Sequence, residues 1–401
     1  MEFDPQPIVD AVKSVVGGNP YIVPLHAPQI TEDDRTTVNR CLMYEPVGHN
    51  FVQSFEADLR SIHHGHEAVA VSSCTAALHL ALLCAGVRPG DEVLMPSLTF
   101  AATAAAVRYC GATPHFIDSS ISDLGIMPYK LGKYIDTAFK SPGPFSRRSG
   151  ARLGAIIAVD LLGLPSKLLD IDVIAQKYGV PLIEDAAQAL GTTTVTGQIG
   201  GTCDIRKAAG TFGMAAALSF NANKIVTTGG GGALLTADKE LAAKARHLAT
   251  TSKIPHPWRY QHDGVGFNYR MPNINAALGV DQLRRLEMTV EAKRRLWQAY
   301  RTALGPLMKI GAISMLDEQP GWRWNAWLTP IFLPPGLEMR QKRDSLLNAL
   351  HRAGIQARAL FDPLHTLAPY ALCPRSDLTL ATYLADRVVC LPGGVGLAPR
   401  S

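Results

Sequence analysis

A lysine between the end of an apolar stretch and a run of glycines can do carbonyl chemistry. Residues 219–232, Ser-Phe-Asn-Ala-Asn-Lys-Ile-Val-Thr-Thr-Gly-Gly-Gly-Gly, hold such a residue in Lys224. Its amine can attack a cofactor carbonyl to form an imine once it has lost its proton, and nearby cations or removal from water lower a lysine pKa toward that condition. The glycines allow close backbone approach or positive φ. Alone, the segment reads first as a solvated loop lysine. The glycine run also reads as a phosphate loop, although it lacks the Gly-Lys-Ser/Thr of a Walker motif.

Three further segments bear on that reading. Residues 180–191, Val-Pro-Leu-Ile-Glu-Asp-Ala-Ala-Gln-Ala-Leu-Gly, form an apolar strand ending in an acidic pair, and open α/β sheets bind ligands at strand ends. A carboxylate there can keep a pyridine nitrogen protonated, so that the ring draws electrons from a substrate carbanion. Alternation sends Glu184 and Asp185 to opposite faces, so only one meets such a ring; helix capping is the plainer role for either acid. Residues 71–79, Val-Ser-Ser-Cys-Thr-Ala-Ala-Leu-His, run a strand into a helix whose first N–H groups suit a phosphate dianion, and N-capping accounts for the same hydroxyls. Pro96-Ser-Leu-Thr-Phe100 ends another strand and offers an aromatic face for stacking.

These segments must be positioned by a sheet. Short apolar runs at 67–72, 92–95, 113–117, 155–159, 181–184, 216–220 and 232–236 read as seven strands. Helical spacing falls between them at 75–85, 100–109, 131–139 and 171–178, which predicts an α/β domain on a mostly parallel sheet. Residues 141–152, rich in Pro, Gly and Arg, read as an exposed loop. Residues 273–304 read as one or two long helices leaving that domain, and 325–333, 342–353 and 355–360 suggest a smaller α+β unit. The expected division is a segment at 1–30, a large domain at 31–272, and connecting helices with a small domain at 273–401.

The 401 residues are 47% hydrophobic and 18% charged, with a formal charge of +5 and no long basic block. This is an ordinary globular composition that gives no reason to expect nucleic-acid or membrane partners. Seven scattered cysteines (Cys41, Cys74, Cys84, Cys110, Cys203, Cys373 and Cys390) show no Cys-x-x-Cys spacing, so neither a disulfide framework nor a metal site is expected, and a reducing compartment fits best. The acidic N-terminus is not a secretory signal, and the longest apolar run, 76–87, is too short to span a bilayer. The expectation is a cytoplasmic protein.

Together the motifs resemble the DegT/DnrJ/StrS family of nucleotide-sugar aminotransferases, and most of all its LegC-type branch. The resemblance runs from Val23-Pro-Leu-His-Ala-Pro28 through Gly266-Phe-Asn-Tyr-Arg-Met-Pro-Asn-Ile-Asn-Ala-Ala277 to residues 355–391. It implies the type I fold of pyridoxal-phosphate (PLP) dependent transferases, with a mostly parallel seven-stranded sheet and a smaller C-terminal α+β domain. It also implies that Lys224 holds PLP and shuttles protons, Asp185 pairs with the pyridine nitrogen, and Gln188 bonds the ring hydroxyl. Phe100 and Ala187 would pack on the ring faces, and Thr75, Ser219 and the backbone near Cys74 would bind the phosphate. Asn268 would reach the phosphate of a neighbouring subunit, which makes the enzyme a homodimer. The implied reaction moves an amino group from glutamate to the 4-keto carbon of a nucleotide-diphospho 4-keto-6-deoxy sugar, with UDP the first expectation and the nucleotide left open, for surface glycan synthesis; a histidine in place of Lys224 would mark a dehydrase.

For the sugar nucleotide, the aromatic and basic loop 251–260 offers His256 and Trp258, with Arg270 and His365 as further candidates. Cys74 stands where relatives often have Gly, Asp160 and Lys167 where they often have His and Asp. Residues 200–210 look like an inserted loop that could shape the substrate mouth. Two rival readings use the same pocket: another PLP reaction such as decarboxylation or aldol cleavage, and a sensor or scaffold without turnover.

Overall fold

The computed structural model describes residues 3–17, 22–44, 50–140, 143–199 and 203–399. Its centre is a seven-stranded sheet of β1 (Glu67–Val71), β2 (Glu92–Pro96), β3 (Thr113–Ile117), β4 (Leu153–Val159), β5 (Leu182–Asp185), β8 (Ala215–Ser219) and β9 (Gly232–Thr236); β6 (Thr193–Ile199) and β7 (Cys203–Ala208) pair outside it. The strand order is β1-β9-β8-β5-β4-β2-β3, and only β9 runs against its neighbours. All seven strands fall where the apolar runs predict them.

Alternation along β4 explains why the sheet is covered on both faces. Ala155, Ile157 and Val159 enter the core that holds α4 (Cys74–Cys84) and α5 (Ala101–Tyr109). Leu153, Ile156 and Ala158 enter a second core under α6 (Pro128–Ala138) and α7 (Leu168–Lys177). The helix α4 is apolar on nearly every side, with Ala76 through Leu82 buried, so it cannot sit at the surface. Its start is pinned by strand ends: a Cβ built on Gly232 would lie 2.4 Å from the Cys74 nitrogen and 2.4 Å from the Ser73 carbonyl carbon.

Before the sheet come α1 (Gln6–Val16), α2 (Glu32–Tyr44) and α3 (Phe51–Ile62); after it, α8 (Lys239–Ala249) leads to a two-stranded ribbon of β10 (Lys253–Ile254) and β11 (Gln261–His262). The stretch predicted as one or two long helices is two, α9 (Asn273–Arg284) and α10 (Leu286–Lys309). A second sheet in the order β12-β14-β16-β15 follows, from β12 (Ser314–Met315), β14 (Thr329–Phe332), β15 (Arg358–Ala359) and β16 (Val388–Leu391), with α11 (Met339–Arg352) and α12 (Thr379–Arg387) against it. The N-terminal segment is not a bare leader to this arrangement, since α1 packs on α10 and α11.

One expected loop is a strand, and the other stays an exposed loop closed by backbone bridges. Residues 203–208, expected within an inserted loop, are a strand, β7 (Cys203–Ala208), paired antiparallel with β6 (Thr193–Ile199), which also pairs with β13 (Trp322–Arg323); residues 200–202 lie outside the described residues. These strands are rich in Thr, Gln, Asp, Arg and Lys and largely solvent-facing, so they lack the apolar runs that marked the central strands. Residues 143–152 include a backbone bridge between Phe145 and Arg152, and 141–142 lie outside the described residues. No helix among the described residues is long and apolar enough to cross a membrane.

Gly232→Ala should loosen the junction of β9 with α4, because the clashing atoms are backbone and cannot turn aside. The expected loss is about 1–3 kcal/mol, read as a lower midpoint in chemical denaturation; an unchanged midpoint would show that the junction can yield.

Candidate active site

The ends of β1, β2, β5 and β8 meet at one edge of the sheet, around a cavity of about 350 Å³. Lys224, Asp185, Gln188, Thr75, Cys74, Phe100, Ala187 and Ser219 all line it. Segments more than a hundred residues apart in the chain thus converge on one space.

Lys224 follows β8 through a turn in which its N–H donates to the Asn221 carbonyl at 3.0 Å. The loop is held from outside: the Asn275 amide donates to the carbonyls of Thr228 at 2.7 Å and Gly230 at 3.1 Å, and Gln282 exchanges two bonds with the Thr227 backbone. A Cβ at Gly231 would come 2.2 Å from the Thr228 hydroxyl, so the run needs glycine there. Lys224 Nζ lies 4.3 Å from the centre of the Trp327 ring, whose indole N–H donates to the Asn223 carbonyl at 2.9 Å. Burial lowers the Lys224 pKa to about 8, assisted by the Arg358 charge and opposed by Cys74 and Asp185.

Asp185 sits across the cavity. One oxygen accepts the Thr103 hydroxyl at 2.7 Å and the other the Ala187 N–H at 3.2 Å. Burial raises its pKa against these bonds and the Lys224 charge. Its neighbour Glu184 points the other way, as alternation predicts, accepting the N–H groups of Gly210 at 2.6 Å and Phe212 at 2.9 Å. Asp160 lies against Glu184, and burial raises both acids, with mutual repulsion adding to the rise for Glu184. Asp160 also accepts the Ser166 N–H at 2.9 Å, which accounts for an acid at that position. Gln188 accepts the Leu162 N–H at 2.7 Å through its side-chain oxygen, so the NH2 end is the one available to a ligand.

At the start of α4 the Ser73 side chain caps the Ala76 N–H, and the amides of Cys74 and Thr75 have no acceptor within the helix. Burial pushes the Cys74 thiol well above its usual range. Phe100 remains 57% exposed with its ring 5.7 Å from that of Phe361, leaving an apolar face open at the cavity.

The other candidates lie apart in this chain. Asn268 is exposed and its backbone pairs with Thr250. His256 and Trp258 sit on the ribbon loop, where the His256 ring accepts the N–H groups of Trp258 and Arg259. Arg270 is exposed and pairs with Val71 through the backbone. His365 shares a 2.7 Å hydrogen bond with Ser97. Conversely, Thr103, Trp327, Arg358 and Phe361 line the cavity and were not singled out from sequence. Only Thr103 carried a legible signal, three residues past Phe100 on the same helix.

Known proteins resemble this chain along most of its length. Residues 28–401 match the model of the DegT/DnrJ/EryC1/StrS aminotransferase family. The chain is 34% identical over 380 residues to GDP-perosamine synthase of Caulobacter vibrioides, covering 92% of this chain and 93% of that one. It is also 34% identical over 340 residues to UDP-N-acetyl-3-dehydro-alpha-D-glucosamine 3-aminotransferase of Acidithiobacillus ferrooxidans, covering 84% and 80%. Among solved structures, it superposes on DesI with its TDP-sugar product at a TM-score of 0.77 and 28% identity, over 95% of this chain and 91% of that one.

Because a lowered lysine pKa moves the neutral amine into reach at lower pH, reductive methylation of Lys224 in the cofactor-free protein should rise with a midpoint near pH 8. Ordinary lysines should follow near about 10.4. Residue-resolved mass spectrometry reads both, and a Lys224 midpoint equal to that of surface lysines would contradict the desolvated site.

Proposed function

The chain belongs to the DegT/DnrJ/EryC1/StrS aminotransferase family, and from that premise we propose that it is a PLP-dependent enzyme moving an amino group from glutamate to the 4-keto carbon of a nucleotide-diphospho keto-sugar. The observation that carries the reading is the pair of Lys224 and Asp185, a desolvated amine and a desolvated carboxyl facing one cavity, neither with an ion-pair partner among the described residues.

The residues fit the cofactor. Asp185 would hold a protonated ring nitrogen, which returns to it the opposite charge that burial denies. The Cys74 and Thr75 amides with Ser219 would hold the phosphate, Phe100 and Ala187 would flank the ring, and the Gln188 NH2 would bond the ring hydroxyl. Bound there, PLP supplies an electron sink for a proton leaving the carbon that carries the amine. Lys224 would take that proton and return it elsewhere, a role that a pKa lowered to about 8 suits. Thr103 keeps Asp185 oriented. The donor departs as a 2-oxo acid, and the nitrogen ends on the former keto carbon of the sugar.

Relatives named for GDP-, UDP- and TDP-linked sugars support a nucleotide-linked sugar as the acceptor class. An exposed Asn268 outside its own cavity fits donation to the cavity of a second copy, so the working unit in this reading is a homodimer. A cytoplasmic role in surface glycan synthesis goes with such substrates.

The protein loaded with PLP should convert glutamate to 2-oxoglutarate when given one member of a panel of GDP-, UDP- and TDP-linked 4-keto sugars. Lys224→Ala should lose the visible absorbance of the bound cofactor and at least about 10²–10⁴-fold in turnover. Turnover at the wild-type rate in that variant would refute the assignment.

A further inference from the structure

The run Ala76–Leu82 of α4 is buried throughout, and His79 is its one polar side chain. A polar group in such a place needs a partner. Its Nδ1 shares a 3.2 Å hydrogen bond with the Tyr269 hydroxyl. The rest of the imidazole meets aromatic rings, with the centres of Phe267, Tyr109 and Tyr269 at 4.8, 5.8 and 5.9 Å and each ring steeply inclined to it. Phe267 and Tyr269 also stack on each other, 5.0 Å apart and 15° from parallel.

Those two rings flank Asn268 on one extended segment. Its backbone is held on both sides: the N–H groups of Phe267 and Tyr269 donate to the carbonyls of Leu248 at 2.7 Å and Ala249 at 3.0 Å, at the end of α8, and the Tyr269 carbonyl accepts the Ser72 N–H at 2.7 Å. Backbone bonds fix the path of the segment, and side chains fix which way it faces. Alternation turns Phe267 and Tyr269 against α4 and leaves Asn268 and Arg270 exposed on the other side. To rotate Asn268 inward, the segment would have to break the bond to His79 and pull the two rings out of their aromatic contacts. His79 in turn stands one helical turn beyond Thr75, at the end of α4 that opens on the cavity.

We propose that His79 is a positioning residue for the site of a second copy of this chain: through Tyr269 it holds the 267–270 segment so that Asn268 faces outward, toward the cofactor phosphate bound by that copy. The assignment rests on the reading of Asn268 given above. One helix then serves two sites. Its first turn binds the phosphate of its own subunit, and its second anchors the residue that reaches the other.

Mixed dimers separate action on the other subunit from action within one chain. Two differently tagged chains are co-expressed and the mixed species purified, one chain carrying Lys224→Ala, so that the visible absorbance of bound PLP reports only the site that keeps Lys224. Tyr269→Phe retains the ring and removes the hydroxyl. Placed on the Lys224→Ala chain, it should raise the Kd for PLP at the reporting site about threefold to tenfold; placed on the chain that keeps Lys224, it should leave that Kd unchanged. His79→Phe should behave alike, and both substitutions on one chain should add nothing to either alone, because each breaks the same bond. An effect confined to the chain that keeps Lys224, additive effects, or no effect at all would overturn the positioning role. Asn268→Ala on the Lys224→Ala chain tests the reading underneath, and should raise the Kd by at least about tenfold. If it does not, or if the chains do not pair, donation between subunits falls and the role of His79 with it. If it does while Tyr269→Phe on the same chain has no effect, the role of His79 alone fails.

Discussion

A lysine amine held out of water with no carboxylate bonded to it is the constraint on which this structure turns. Lowering its pKa from 10.5 to about 8 corresponds to about 3 kcal/mol of differential stabilisation against the charged form. The surrounding fold has to hold the group there against that cost. It does so with the Trp327 ring beside Nζ, and with a glycine loop fastened by Asn275 and Gln282 of α9. Were that loop free to swing outward, the amine would hydrate and its pKa would return to the ordinary range.

The sheet separates this base from its acid. Parallel strands deliver Ser219 and Asp185 to the same edge from neighbouring positions, because β5 and β8 pair directly. Pleating then divides the two acids at the end of β5: Asp185 faces the cavity, while Glu184 faces backbone amides and Asp160 on the far side. Acids adjacent in sequence therefore serve different ends, one for ligand chemistry and one for fixing the chain between β7 and β8.

The C-terminal layer closes the cavity. Trp327 enters just before β14 and Arg358 opens β15, so two walls belong to a sheet distinct from the one that supplies Lys224. The join is polar and buried: Asn325 donates to the carbonyls of Gln188 at 2.8 Å and Leu190 at 3.0 Å, and its side-chain oxygen accepts the Trp327 N–H at 3.0 Å. Buried Lys293 on α10 adds bonds to the carbonyls of Trp327 and Gly393. Backbone groups satisfied this way fix where the indole stands, and with it the environment of Lys224.

The sequence by itself determined the central sheet, because seven strands buried on both faces must read as short apolar runs, and it marked Lys224, Asp185, Gln188, Thr75 and Phe100 because their motifs end strands or open helices. The two-residue period of a strand likewise sends Glu184 and Asp185 to opposite faces, a division legible from their adjacency alone. Polar strands such as β6 and β7 were illegible for the converse reason: without a buried face, composition does not distinguish them from a loop. Only tertiary structure decided that Trp327, Phe361 and Arg358 share the cavity, since contacts across more than a hundred residues leave no local periodicity. It alone also showed which charges lack a partner, because desolvation belongs to a place in the fold and not to a residue type.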